Sequence, residues 1–175
     1  MKSTLQLLSR GLADRGVGAL LVGGHALQMH GVIRQTLDVD CLVSDELDQV
    51  VQAILTGAGY AESARSENFV RYTHAGDAFA DVDVLLVDKA TFEPMLEEGS
   101  AHGLYGEGLR VASVEHLIAL KLHAIRCDPP REARDVADIV ELLRRNRPIA
   151  GRDRLRGLCE RYGPPSIHER IERYL

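Results

Sequence analysis

The stretch that decides the fold reads Leu21-Val22-Gly23-Gly24-His25-Ala26-Leu27-Gln28-Met29-His30-Gly31-Val32-Ile33-Arg34-Gln35-Thr36-Leu37-Asp38-Val39-Asp40-Cys41-Leu42-Val43. It is entered through residues 19–22, an unbroken apolar run with the length and character of a short buried strand. Gly23-Gly24 ends that strand, and residues 25–30 have room for two helical turns before Gly31 stops them. Residues 37–43 then alternate, with Leu37, Val39 and Cys41 facing one way and Asp38 and Asp40 the other. Period-two spacing puts both carboxylates on one face of a strand, close enough to repel. A hard divalent cation such as Mg2+ relieves that repulsion by taking carboxylate, phosphate and water oxygens together.

Downstream, residues 68–74 and 79–87 read as paired strands joined by a turn around Gly76-Asp77. The second of these carries another acid pair, Asp81-Val82-Asp83, followed by the apolar Val84-Leu85-Leu86-Val87. Either Asp81 or Asp83 would complete a three-carboxylate site, and the deeper place of Asp83 in the apolar run favours it. Glycines between a strand and a helix let the backbone approach a ligand, and free N–H groups at the helix start attract anions such as a polyphosphate. His25 either touches such a ligand or is a polar residue at a helix start. His25 and His30 do not share a helix face, which makes them a poor zinc pair.

The flanks supply the remaining elements. Residues 3–15 form an amphipathic helix with Leu5, Leu8 and Leu12 on one stripe, and Ser44 caps an acid-led helix from residue 45 to about 58. A short strand at 109–112 follows. From Ser113 the pattern turns helical: 114–126, then 131–145 after Asp128-Pro129-Pro130, then a terminal helix opened by the capping box Ser166-Ile167-His168-Glu169. Lys121 sits on the stripe Val114, Ile118 and Ile125, and the next helix offers Asp135 and Asp138 one turn apart. Lys121 therefore either pairs with these acids or reaches a phosphate. The expectation is an α+β fold: a mixed sheet flanked by helices over residues 1–112, with a C-terminal helical segment, 113–175, packed on it.

Composition bounds the function. The chain has 175 residues, 45% hydrophobic and 27% charged, which excludes disorder. No apolar run exceeds four residues, so no membrane span is expected, and no secretory signal is visible. Three scattered cysteines argue against a disulfide framework and for a soluble, cytoplasmic protein. Charge is unevenly spread: residues 1–109 hold 7 basic against 16 acidic side chains, and residues 110–175 hold 14 against 10. Arg144, Arg145, Arg147, Arg152, Arg154 and Arg156 crowd into thirteen residues. Such a cluster is either a solvated face or a grip on a polyanion such as RNA.

Taken together, Leu21-Val22-Gly23-Gly24-His25-Ala26, Gly31, Arg34, Thr36 and Asp38-Val39-Asp40 resemble the signature of the DNA polymerase β-like nucleotidyltransferases. That signature is a Gly-Gly or Gly-Ser turn, a short helix and an Asp-x-Asp strand, here with thirteen residues between Gly24 and Asp38. Residues 111–124, with Arg126, Arg134, Asp135 and Asp138, are similar to the branch that contains the AbiEii-type toxins. The resemblance implies an Mg2+-dependent enzyme that moves a nucleoside monophosphate from a nucleoside triphosphate to a hydroxyl of RNA or protein, and it raises the question of an antitoxin partner. It implies that Asp38, Asp40 and Asp83 hold two Mg2+ ions and that the third carboxylate takes the acceptor's proton. Gly23, Gly24 and His25 would lie against the nucleotide phosphates, Lys121 would help neutralise them, and Asp135 matches a later acidic position, with Arg126 a looser candidate beside it. One departure is Gly24, where the family often has a serine whose hydroxyl binds phosphate. The alternative reading is a non-catalytic module that keeps the fold to bind a nucleotide or a partner.

Overall fold

The structure, a computed structural model, describes residues 3–76, 79–103, 106–146 and 152–175. The chain divides into two compact units, Met1–Ala26 with Gln35–Ser113 and Leu27–Arg34 with Val114–Leu175. The sequence led us to expect one boundary at 112/113. The segment Leu27–Arg34 lies instead with the later helices.

The first unit is built on a seven-stranded mixed sheet. Its strands are β1 (Ala19–Leu21), β2 (Val39–Ser44), β3 (Tyr60–Ser66), β4 (Phe69–His74), β5 (Val82–Val87), β6 (Ser100–Ala101) and β7 (Leu109–Val111), in the order β3-β4-β5-β2-β1-β7-β6. β2 and β5 run parallel in the centre, and β1 lies antiparallel to β2 and parallel to β7. The centre is apolar because Leu20, Leu21, Cys41, Leu42, Val82 and Val84 are fully buried. Helix α1 (Thr4–Ala13) begins at Ser3 and Gln6, which cap each other's backbone, and it buries the expected leucines Leu5, Leu8 and Leu12. Thr4 fixes the start of α1: its hydroxyl lies 3.0 Å from the Tyr60 hydroxyl and accepts the Ala80 N–H at 2.9 Å.

Two local expectations change. Ser44 does not cap: its hydroxyl donates to Asp45 Oδ1 at 3.3 Å, and a 3-10 turn at Asp45–Leu47 precedes the helix Asp48–Gly57. Strand β3 is an edge strand exposed along nearly its whole length, so it shows no apolar alternation to read. Its charges, with Arg65 paired to Glu62 and Asp48, blunt an edge that would otherwise invite pairing. The expected turn includes Asp77, which lies outside the described residues.

The second unit is helical. It holds Val114–Cys127, Glu132–Arg145, Arg152–Tyr162 and Ile167–Glu172, and the first buries the expected stripe of Val114, Ile118 and Ile125. The segment Leu27–Arg34 joins it through Asn146, whose Nδ2 donates to the His30 carbonyl at 3.1 Å, and through Arg34, which pairs with Asp138 at 2.6 Å. The expected capping box at Ser166 does not form. Ser166 is left-handed (φ 65°), and its hydroxyl makes no cap bond to the helix it precedes. All three cysteines are free; burial pushes the Cys159 thiol up to about 11. Among the described residues no helix is long and apolar enough to cross a membrane.

Candidate active site

Strand register brings the acids together. Asp40 on β2 stands opposite Asp83 on β5 in the parallel pair, and Asp83 stands opposite Arg71 on β4 in the antiparallel pair. The result is a row Arg71–Asp83–Asp40 at one level of three adjacent strands. Asp38, one residue before β2, closes the group: Asp38, Asp40 and Asp83 each place one carboxylate oxygen within 4.8 Å of the others. Asp81 instead stands one residue before β5, where its carbonyl accepts the Val39 N–H at 2.9 Å. Asp38 and Asp40 are half-buried, whereas Asp83 is only 6% exposed.

The two glycines make this convergence possible. Gly23 is left-handed (φ +58°), and a Cβ there would come within 1.9 Å of Asp40 Oδ2. At Gly24 a Cβ would come within 2.5 Å of Thr36 Oγ1. The glycines thus clear room for Asp40 and Thr36. Thr36 in turn donates to Asp38 Oδ1 at 2.9 Å and puts a hydroxyl beside Gly24. His25 is half-buried on the short helix Gly23–Met29.

Arg71 and the role of Thr36 were missed by sequence reading. Arg71 forks onto Asp83, with Nε to Oδ1 at 2.7 Å and Nη2 to Oδ2 at 2.6 Å. Its guanidinium also lies over the Phe69 ring, 5.9 Å from the centroid. The hydrogen bonds and charge of Asp83 hold the Arg71 proton more tightly than usual. The only signal was the place of Arg71 in a strand expected to pair with the Asp83 strand.

In the second unit, Lys121 is buried and pairs with Asp135 at 2.9 Å and Asp138 at 2.6 Å. Asp138 also takes Arg34, and Asp135, fully buried, also takes Arg131 at 3.1 Å. Burial opposes the ionised form of Asp135, but the charge and hydrogen bonds of Lys121 and Arg131 prevail and hold its carboxyl below the usual range. Arg126 lies on the exposed side of its helix and donates to the Arg161 carbonyl at 3.4 Å. Within the arginine cluster, Arg144 and Arg145 pair with Glu141, and Arg154 pairs with Glu115 at 2.6 Å. Arg156 is exposed, while Arg147 and the Arg152 side chain lie outside what the structure describes.

The donor set suits a hard divalent cation: three carboxylates within reach of one another, two of them accessible to water. Comparison with known proteins agrees on the class. Residues 6–173 match the family described as nucleotidyl transferase AbiEii toxin, type IV toxin–antitoxin system. Among solved structures, ANT(2'')-Ia in complex with adenylyl-2''-tobramycin is similar over 90% of this chain and 92% of that one, at 15% identity and a TM-score of 0.66. A solution structure of ANT(2'')-Ia, described as an antibiotic-resistance factor, covers 98% and 94% at the same identity and TM-score. A candidate nucleotidyltransferase from Thermotoga maritima covers 74% and 88%, at 15% identity and a TM-score of 0.55. The comparison with curated proteins found no match.

Proposed function

Because the chain belongs to the AbiEii family of nucleotidyltransferase toxins, we propose that it moves a nucleoside monophosphate from a nucleoside triphosphate to an acceptor hydroxyl, using Asp38, Asp40 and Asp83 as Mg2+ ligands. The observation that carries this reading is the meeting of three carboxylates from two parallel strands beside the Gly23-Gly24 turn. Bound there, Mg2+ supplies positive charge to the phosphates and to the attacking hydroxyl. Asp38 and Asp40, open to water, are the ligands a triphosphate would approach. Asp83 has spare lone pairs beyond the two that Arg71 occupies, enough to receive the acceptor's proton. The Thr36 hydroxyl, the backbone at Gly23 and Gly24, and His25 are the groups nearest to hand for the phosphates. Lys121 enters as a phosphate-neutralising cation only by giving up Asp138 or Asp135, and its burial between them supports the structural role first.

The acceptor is proposed to be RNA held by the arginine cluster, and the family's toxin–antitoxin description supports an antitoxin partner. The test supplies each of four α-labelled nucleoside triphosphates with Mg2+ to the protein, total RNA and cell lysate. Label on RNA with release of pyrophosphate is the expected result, and label on a polypeptide would reassign the acceptor. Triphosphate binding with no transfer to any acceptor would overturn the enzymatic reading in favour of a nucleotide-binding module.

A further inference from the structure

We propose that Arg71 is a resident counter-cation of the carboxylate site, standing in for the divalent ion when none is bound and setting how tightly that ion binds. The proposal rests on the metal-site reading above and adds a residue to it. Asp83 is the most buried of the three acids, and a carboxylate so placed beside two others is tolerable only if something neutralises it. Arg71 does so from the register position directly across, through both guanidinium bonds, while its own side chain stays 44% exposed and leans on Phe69. A guanidinium held at an accessible edge can swing away when a stronger cation arrives. Its fork matches the carboxylate as a lysine's ammonium does not.

Two consequences follow. Arg71 adds a positive charge beside the three carboxylates, so a divalent cation meets a weaker attraction than the acids alone would exert. Without Arg71, the metal-free protein leaves Asp83 uncompensated and loses stability that added metal restores.

The experiment uses the full chain and Mn2+ as the probe, titrated and followed by electron paramagnetic resonance, with melting temperature recorded in EDTA and in Mn2+. Arg71→Gln should bind Mn2+ about tenfold more tightly than wild type, as expected for removing a like charge a few ångströms from the ion. It should also melt lower in EDTA and regain more than wild type does when Mn2+ is added. Arg71→Lys keeps the charge, so its Mn2+ affinity should stay within about twofold of wild type, even though the fork is lost. A folded Arg71→Gln that binds Mn2+ no more tightly than wild type overturns the proposal. If Arg71→Gln does not fold in EDTA but folds in Mn2+, the substitution of one cation for the other is supported directly. If it folds in neither, Arg71→Lys decides, and weakened Mn2+ binding there means that Arg71 only positions Asp83. Asp40→Asn is the control: Mn2+ binding that it leaves unchanged refutes the metal site itself, and the counter-cation role with it.

Discussion

The two units hold clusters made of the same side chains in opposite balance. In the first, Asp38, Asp40 and Asp83 lie within reach of one another, and Arg71 forks onto the most buried of them, Asp83. In the second, Asp135 and Asp138 share Lys121, Arg34, Arg131 and Arg134. Both include acids taken largely out of water, where an uncompensated charge is expensive. In the second, each acid is met by at least two cations from its own chain, whereas the first crowds three carboxylates within reach of one another, an arrangement that suits an added cation. The second cluster is closed by its own chain, and the first is open on the side where Asp38 and Asp40 meet solvent. The arrangement of charge thus separates the proposed metal site from a closed structural network when residue types alone do not.

The sharpest break in this comparison is to relieve the crowding of carboxylates. Asp38→Asn or Asp40→Asn should lower nucleotide transfer by at least about 10²- to 10³-fold, the scale on which losing one transition-state charge contact is felt. The metal-free melting temperature should hold or rise, because repulsion among the acids falls. Full transfer activity in either variant would remove that residue from the site. In the closed cluster the outcome reverses: Lys121→Met takes the shared ammonium from two buried acids, leaving Arg34 and Arg131 to hold them, and should destabilise the protein by about 1–3 kcal/mol in urea unfolding. A smaller loss, with triphosphate binding abolished instead, would show that Lys121 serves the nucleotide.

Much of this contrast can be read from the chain because it is local. The strand–Gly-Gly–helix–Asp-x-Asp order lies within one short stretch, and period-two spacing alone groups Asp38 with Asp40. The choice of Asp83 over Asp81 followed from the apolar run behind it, and the register places Asp83 opposite Asp40. What the sequence could not supply was pairing at a distance. Arg71 matters only because β4 lies beside β5 at a register that no local pattern encodes. Strand β3 has one buried residue, Tyr60, so the periodicity that reveals strands is missing there. Ser166 and Ser44 are residue types that cap helices, but Ser166 has a left-handed backbone and makes no cap bond, and the Ser44 hydroxyl goes to a neighbouring carboxylate. Leu27–Arg34 belongs with the later helices through Arg34 and Asn146, contacts that span more than a hundred residues.

A glycine in each unit sharpens the comparison at lower amplitude. Gly23→Ala places a Cβ against the Asp40 carboxylate on a left-handed backbone and should cost about 1–3 kcal/mol, with Mn2+ affinity reduced as Asp40 is displaced. Gly157, inside the helix Arg152–Tyr162, has nothing within 4 Å of the same position. Gly157→Ala should stabilise by up to about 1 kcal/mol through helix propensity and leave Mn2+ binding untouched. Thermal melts of the two variants with and without Mn2+ check both signs at once. Equal effects on metal binding would mean that Gly23 is not part of the site's geometry.

The smallest effect concerns how the closed cluster responds to acid. Asp135 is held below its ordinary value of 3.8 by Lys121 and Arg131, with Arg134 3.7 Å away, so its ionised form is bound more favourably in the folded protein than in the unfolded chain. A carboxylate depressed in this way contributes stability that is fully present above the unfolded value and is lost as pH falls through the folded one. Between neutral pH and about pH 5 the contribution should therefore be flat, and below about pH 4 it should decline. Asp135→Asn removes that one titration. Unfolding free energies measured from pH 7 to pH 3 should run parallel for wild type and variant down to about pH 4, with the variant less stable throughout, and then converge by at most about 1.4 kcal/mol per pH unit. Curves that stay parallel to pH 3 would show that Asp135 keeps its proton affinity on folding, and that Asp138 and Arg34 carry the closure of the network.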